Sequence, residues 1–422
     1  MGGSLGVNLR LINNTQFSIK TYVTDVEPYD WENIISLQNA FQKDQIRPFT
    51  IVESQEEIKK SSGSAPLRLH IEFAGMSNKL EFCRDMKDFE TFQEIAANDN
   101  KFECFYLKQK CVGDINCFHY FYVTQKINTK RWMKAIPNEQ SLSMLTIPGT
   151  HNSVASRAHY NETFFGHCSV LCQDMDLVEQ LECGVRFFDI GARHIGNDLV
   201  IHNGEAYLNF SLLNVLEVCA KFLNHNPSEA IVMHVKKEHT EERVTQDFEE
   251  TFQLITRRYS HILYIDTEDI PILGKVRGRI VLIRDFKASS TLGIPWENND
   301  SNICIHENNK STSISNKWDS IEQQLEKTSN DHSKRLHINF TSNAVRHAPL
   351  KVRSVGTANG AMVSNSAGDS SNESETKGIN ELLQYFLVRN PKPATRYGIV
   401  IMDFQTKLLI KLLISKNNFI IE

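Results

Sequence analysis

The 422-residue sequence predicts an α/β fold, a parallel (β/α) barrel preceded by a smaller all-β, sandwich-like domain. Three observations predict it. From about residue 130 onward, short and almost wholly apolar segments alternate with helical stretches, the pattern of a parallel sheet covered by helices. Before that point the chain shows period-two alternation broken by polar turns, which marks half-buried strands. Several of the apolar segments also end in polar, chemically capable residues, as happens where a barrel gathers a site at its carboxyl mouth.

Residues 9–12, 67–73 and 118–123 carry the period-two alternation, so residues 1–128 are expected to form the β-rich module. It contains no chemical motif, and membrane, glycan or protein binding all stand beside a plain packing role. Residues 129–422 are expected to form the barrel. Its first signal is WMKAIP at 132–137 followed by LTIPGTHNS at 145–153, read as a strand that delivers His151 onto a glycine-flanked loop. Further strands are expected from Val185 (VRFFDIGA), Leu199 (LVIHN), Ala230 (AIVMHV), Ile280 (IVLIRD), Leu336 (LHINFT) and Tyr397 (YGIVIMDF). Residues 212–224 and 379–388 have helical periodicity, the first closed by Asn226-Pro227. The Ser-, Gly-, Asn- and Ala-rich stretch 355–377 reads as a loop insertion.

Composition narrows the function. With 46 basic and 51 acidic residues the net charge is -5, so no basic footprint supports nucleic-acid binding. The N-terminal MGGSLG lacks a basic and an apolar region, and no run of about 18 apolar residues occurs, so neither a signal peptide nor a transmembrane segment is expected. Gly6 stands where a myristoylation motif after Gly2 wants Ser or Thr. A cytoplasmic protein, peripheral to membranes if it meets them, is the expectation. Nine cysteines at irregular spacing, among them Cys104, Cys111, Cys117, Cys168 and Cys172, show no paired CxxC and read as reduced packing thiols rather than disulfides or zinc ligands. No cofactor and no metal is expected. The sequons at Asn161 and Asn339 carry little weight without a secretory signal.

The polar strand ends are His151, Asp189, His202 with Asn203, Lys236 with Lys237, Arg284 with Asp285, and Asp403. Together with WMKAIP, LTIPGTHNS, GVRFFDIGAR, HNG, NPSEAIVMHVKKE, RGRIVLIRDF, HINFTS and IVIMDF in that order, the chain from about 130 to 422 resembles the X domain of phosphatidylinositol-specific phospholipase C in its compact bacterial form. The resemblance implies a distorted TIM barrel. It implies cleavage of an inositol phospholipid by attack of the inositol 2-hydroxyl on phosphorus, giving diacylglycerol and a cyclic inositol phosphate. That chemistry uses one group to take the hydroxyl proton, one to protonate the departing oxygen, and a fixed positive charge.

Carried over by position, the resemblance makes His151 the general base, Asp403 the carboxylate that orients it, Asp189 the carboxylate beside the general acid, and Lys236 a lysine of the inositol pocket. Elsewhere the pattern breaks. Asn152 stands for an aspartate, Gly191 for the phosphate-binding arginine, Asn203 for the general acid, Asp285 for a pocket arginine, and Asn316 and Trp318 for a pocket aspartate and tyrosine. A bulge after Val200 would bring His202 into the acid's place, and Arg193, two residues past Gly191, would reach phosphate if the strand continues. The calcium-dependent branch fits less well, since Gly191 offers no oxygen and Lys236 puts a cation where a carboxylate is needed.

The candidate catalytic residues are therefore His151, Asp189, His202 and Asp403. The candidate substrate contacts are Asn152, Arg193, Asn203, Lys236, Arg284 and Trp318. Two readings follow: a phosphodiesterase impaired by its replaced acid and arginine, or an inactive lipid- or protein-binding protein on a degenerate barrel. Restoring Gly191→Arg together with Asn203→His is expected to raise activity if the barrel geometry is intact.

Overall fold

The computed structural model describes residues 5–24, 42–53, 58–60, 66–85, 92–96, 99–110, 117–160, 170–297, 302–308, 313–342, 378–391 and 395–420. The expectations for Gly2, Cys111, Cys168, the Asn161 sequon and the 355–377 insertion lie outside these residues. The chain forms two compact units, one of Met1–Ile127 with Gln384–Ala394 and one of Asn128–Leu383 with Thr395–Glu422.

The alternating N-terminal segments become ten strands: β1 (Leu5–Asn14), β2 (Ile19–Thr24), β3 (Lys43–Ile46), β4 (Thr50–Glu53), β5 (Ile58–Lys60), β6 (Pro66–Phe73), β7 (Lys79–Asp85), β8 (Phe92–Ala96), β9 (Phe102–Lys110) and β10 (Cys117–Gln125). A six-stranded sheet runs β4-β1-β10-β9-β8 with β5 also on β1, and a four-stranded sheet runs β3-β2-β6-β7. Alternate residues of both close one core: Leu9, Leu11, Phe102, Tyr106 and Phe121 from the first, Leu69, Ile71, Phe73 and Leu80 from the second. This is a face-to-face sandwich. Half-burial does not hold for β9 and β10, where Phe105, Leu107, Tyr120 and Tyr122 are buried as well. Residues of the 384–391 stretch contribute to that second face, with Arg389 donating to the Tyr120 hydroxyl at 3.2 Å and Tyr385 donating to the Lys108 carbonyl at 3.1 Å. A segment nearly 260 residues away in sequence thus completes the module, which local alternation has no means of showing.

In the second unit a parallel sheet curls into a half-barrel. Its strands are β11 (Thr146–Thr150), β12 (Phe187–Ile195), β13 (Asp198–Asn203), β14 (Ala206–Ser211), β15 (Ile231–Lys237), β16 (Leu263–Tyr264), β17 (Ile280–Asp285), β18 (Ile294–Pro295), β19 (Ile303–His306), β20 (Leu336–Phe340) and β21 (Gly398–Met402). The order is β16-β17-β15-β12-β11-β21-β20-β19, every neighbouring pair parallel where registered. The helices are α1 (Leu177–Cys183), α2 (Leu212–His225), α3 (Phe248–Thr256), α4 (Leu273–Val276), α5 (Ile314–Asn330), α6 (Ile379–Arg389), which passes into the first unit at Gln384, and α7 (Lys407–Ile414). Capping boxes start α1 at Asp176 with Glu179 and α2 at Ser211 with Asn214. Gly184, at φ 110°, stops α1 in the left-handed conformation that glycine adopts without strain.

Two expected strands are corrected. The WMKAIP segment is not a strand: Thr129–Ala135 coils as 3-10 turns, and Trp132 Nε1 donates to the Gly184 carbonyl at 3.0 Å. The segment from Leu199 is not a parallel barrel strand either. β13 runs antiparallel to β12 across a two-residue turn at Gly196 (φ 58°) and Asn197 (φ 61°), and then pairs with β14. Two consecutive left-handed residues are what a type I′ hairpin requires, and such a turn returns the chain along the same sheet edge. His202 and Asn203 therefore sit on a hairpin arm, not at a barrel strand's end.

Candidate active site

Register places the strand-end residues in layers. In parallel strands, residues in register point to the same face. Thr150 pairs with Phe188 and with Met402, so the next residue, His151, lies between Asp189 on β12 and Asp403 after β21. Asp189 is in register with His234 on β15. One layer thus runs Asp403, His151, Asp189, His234 across four neighbouring strands. Two residues further along, Gly191, Lys236 and Asp285 form the layer above it.

His151 Nδ1 and Asp403 Oδ1 are 2.9 Å apart, with the carboxylate buried and the imidazole side chain 27% exposed. The Asn152 side-chain amide lies 3.1 Å from Nε2, where it donates to the lone pair of an Nδ1-protonated ring. Burial works against charge on His151, but the charge of Asp403 and its hydrogen bond prevail and hold the imidazole well above its ordinary value of 6.5. Asn152 takes φ 40°, and this left-handed step aims its backbone N–H at Asp189 Oδ2, 3.0 Å away.

Asp189 has a second partner that the sequence reading did not assign. His234 Nδ1 is 3.0 Å from Asp189 Oδ1, and His234 Nε2 faces Asp285 Oδ2 at 3.8 Å without a hydrogen bond of its own. The ring is 3% exposed and stacks on Trp296 with centroids 3.9 Å apart. Burial lowers its basicity, yet the bond to Asp189 and the nearby Asp285 carboxylate raise it above the ordinary imidazole value. Burial likewise opposes ionisation of Asp189, but Lys236 and His234 keep it a carboxylate.

Lys236, 3.3 Å from Glu238, is held as an ammonium chiefly by Asp189. A second lysine, Lys317 on α5, is fully buried, donates to the Asn308 carbonyl at 2.9 Å, and is lowered to about 8 by burial despite Asp403 and Glu307. Trp318 beside it is half-buried and Asn316 exposed, so the buried cation on this helix turn is the residue between the two positions the resemblance singled out.

Cys172 also belongs to this site rather than to packing alone. Its Sγ lies within 4.8 Å of the ligand atoms of His151 and Asp403, the one such trio capable of holding a metal among the described residues. The Asn152 and Asn203 amides approach Sγ at 3.8 Å and 3.7 Å. Burial and Asp403 push this thiol up, so it stays protonated.

Three expected contacts lie elsewhere. The expected shift is present, the β13–β14 register slipping between Val200 and His202, yet His202 makes no hydrogen bond to Asp189; it is buried on its hairpin against Tyr207, ring centroids 5.6 Å apart, with Nδ1 unpartnered. Arg193 is committed to the Thr240 carbonyl at 2.8 Å and Glu242 at 3.3 Å. Arg284 alternates with the inward residues Ile283 and Asp285, and reaches Glu268 at 3.4 Å and the Phe286 carbonyl at 3.3 Å. Asn203 does adjoin the site, donating to the Val170 carbonyl at 2.8 Å. A period-two reading back from Lys236 is the signal that would have found His234.

The arginine reversion is also reinterpreted. A Cβ on Gly191 would meet the His202 carbonyl oxygen at 2.8 Å, Glu238 Oε2 at 2.9 Å and Lys236 Cε at 3.3 Å. The first contact is backbone, held by the hairpin. Gly191→Arg, alone or with Asn203→His, is therefore expected to lower the thermal midpoint without adding activity. A variant that melts with the wild type and turns over faster would contradict this.

Residues 145–285 match the family described as phosphatidylinositol-specific phospholipase C, X domain. The chain is 28% identical over 308 residues to the 1-phosphatidylinositol phosphodiesterase of Listeria monocytogenes serovar 1/2a, covering 70% of this chain and 88% of that protein. It is 27% identical over 243 residues to the protein of the same name from Staphylococcus aureus strain Newman, covering 50% and 75%. Among solved structures it resembles the phosphatidylinositol-specific phospholipase C of Listeria monocytogenes, with TM-score 0.54, 27% identity and coverage of 69% of this chain and 100% of that one. A Staphylococcus aureus enzyme structure, from work on its membrane binding, matches in fold with TM-score 0.54 at 22% identity.

Proposed function

We propose that the chain, whose residues 145–285 match the phosphatidylinositol-specific phospholipase C X domain family, cleaves the phosphodiester of an inositol phospholipid by intramolecular attack of the inositol 2-hydroxyl. The observation that carries this reading is the His151 to Asp403 bond of 2.9 Å at the open end of the sheet, with the imidazole partly exposed. Asp403 fixes the Nδ1–H tautomer, so Nε2 carries the lone pair, which the attacking hydroxyl takes over from the Asn152 amide. Lys236 supplies a fixed positive charge one layer above, suited to the phosphoryl or ring oxygens. The proposed substrate is a lipid at a surface; among the described residues no helix is long and apolar enough to cross a membrane.

The test is release of a water-soluble cyclic inositol phosphate from phosphatidylinositol vesicles, followed by phosphorus NMR. No product above a boiled control, on phosphatidylinositol and lysophosphatidylinositol alike, would overturn it. A second reading, a lipid-binding protein without turnover, is favoured by the space over Gly191 being filled by Glu238 and Lys236 instead of an arginine. Vesicle binding with no product would select that reading.

A further inference from the structure

We propose that His234 is the general acid of this site, replacing the imidazole that the family pattern would place at Asn203. The inference rests on the phosphodiesterase reading above and extends it to a residue that reading does not use.

The geometry supplies the argument. His151 and His234 occupy the same layer of the sheet, separated by the single strand that carries Asp189. At about 4.8 Å per strand, their backbones stand about 10 Å apart, on either side of the strand that carries Asp189. Each imidazole uses Nδ1 on a buried carboxylate, Asp403 for one and Asp189 for the other. Each therefore directs Nε2 away from its anchor. The Nε2 of His234 is buried and unpartnered, with Asp285 3.8 Å away and too distant for a hydrogen bond. A polar atom in that state incurs a desolvation cost that a ligand oxygen would relieve. The titratable groups facing the ring are Asp189 on β12, Asp285 on β17 and Lys236 on its own strand; burial and the lysine lower its basicity, and the two carboxylates raise it to a net position above the ordinary imidazole value.

The step balances. His151 Nε2 accepts the proton of the inositol 2-hydroxyl as its oxygen bonds to phosphorus; the bond from phosphorus to the glyceryl oxygen breaks, and His234 Nε2–H delivers its proton to that oxygen. Diacylglycerol and the cyclic phosphodiester leave, with His151 protonated and His234 neutral, and proton exchange with water resets both. Nothing else is consumed.

The experiment compares two substrates: phosphatidylinositol vesicles, whose alkoxide leaving group needs a proton, and an inositol phosphodiester of p-nitrophenol, whose leaving group does not. His234→Gln and His234→Asn are expected to lose about 10²- to 10⁴-fold on the lipid and to keep most of their rate on the p-nitrophenyl ester. Wild-type kcat/KM is expected to fall at high pH with the lipid only. Equal loss on both substrates, or unimpaired lipid turnover by a variant, would overturn the assignment. Should both variants fail to fold, the wild-type pH comparison decides alone, and a descending limb common to both substrates counts against it. Wild-type protein inert on both substrates would instead sink the phosphodiesterase reading itself.

Discussion

Replacing His151 by alanine is expected to lower turnover of phosphatidylinositol by about 10²- to 10⁴-fold with little change in stability. The side chain is 27% exposed, and its one strong bond is to Asp403, so its removal opens no sealed cavity. What is lost is the proton acceptor. Asp403→Asn is expected to fall between wild type and His151→Ala, because an amide at that position no longer compensates charge on the ring. The pH profile carries the sign of the effect. A general base works deprotonated, so kcat/KM rises as pH passes upward through the His151 pKa, which Asp403 holds above 6.5. Asp403→Asn is then expected to move that ascending limb to lower pH while lowering the plateau. A limb that stays in place would mean that Asp403 does not set the basicity of His151, and unchanged turnover in His151→Ala would remove the site from the reaction.

Glu229→Ala is expected to destabilise the barrel unit by about 3–5 kcal/mol, since it leaves a fully buried guanidinium without its counter-charge. Arg186 and Glu229 are both 0% exposed, joined by Nε and Nη2 bonds of 3.0 Å and 2.8 Å to one carboxylate oxygen. The same arginine also donates to the carbonyls of Leu181, Val185, Thr129 and Lys130, and the backbone N–H of Met133 donates to Glu229 at 3.3 Å. The pair thus ties the 3-10 segment to the start of β12 and β15. A drop of about 10 °C in the thermal midpoint is the expected readout at this size. A midpoint within a degree of wild type would show that the four carbonyl acceptors alone satisfy Arg186.

This pair explains why WMKAIP and NPSE are so informative as sequence while contributing no chemistry. Their residues meet at the amino-terminal side of the sheet, where Arg277 donates to the carbonyls of Met133 and Ile136. They specify a hub, and the hub specifies the barrel. Motifs at the other end were legible for a different reason: a strand's last inward residue is visible as the polar end of an apolar run. That rule picked out His151, Asp189, Lys236 and Asp403, which the structure gathers. It also picked out His202, because an apolar run in a hairpin arm resembles one in a barrel strand until the Gly196-Asn197 turn is recognised as a reversal.

The sequence by itself determined the lineage, the parallel sheet, the two-part organisation and the pairing expected between His151 and Asp403. These follow from local periodicity and from ordered motifs. Only the tertiary structure decided which imidazole bonds Asp189, since strand register brings His234 to it while the His202 ring packs against Tyr207. It also decided that Gly191 has no room for the side chain its position suggests, and that residues 384–394 belong with the N-terminal module. The physical reason is the same in each case. Face and alternation are properties of neighbouring residues, whereas register, available volume and the partner of a buried charge are set by strands distant in sequence.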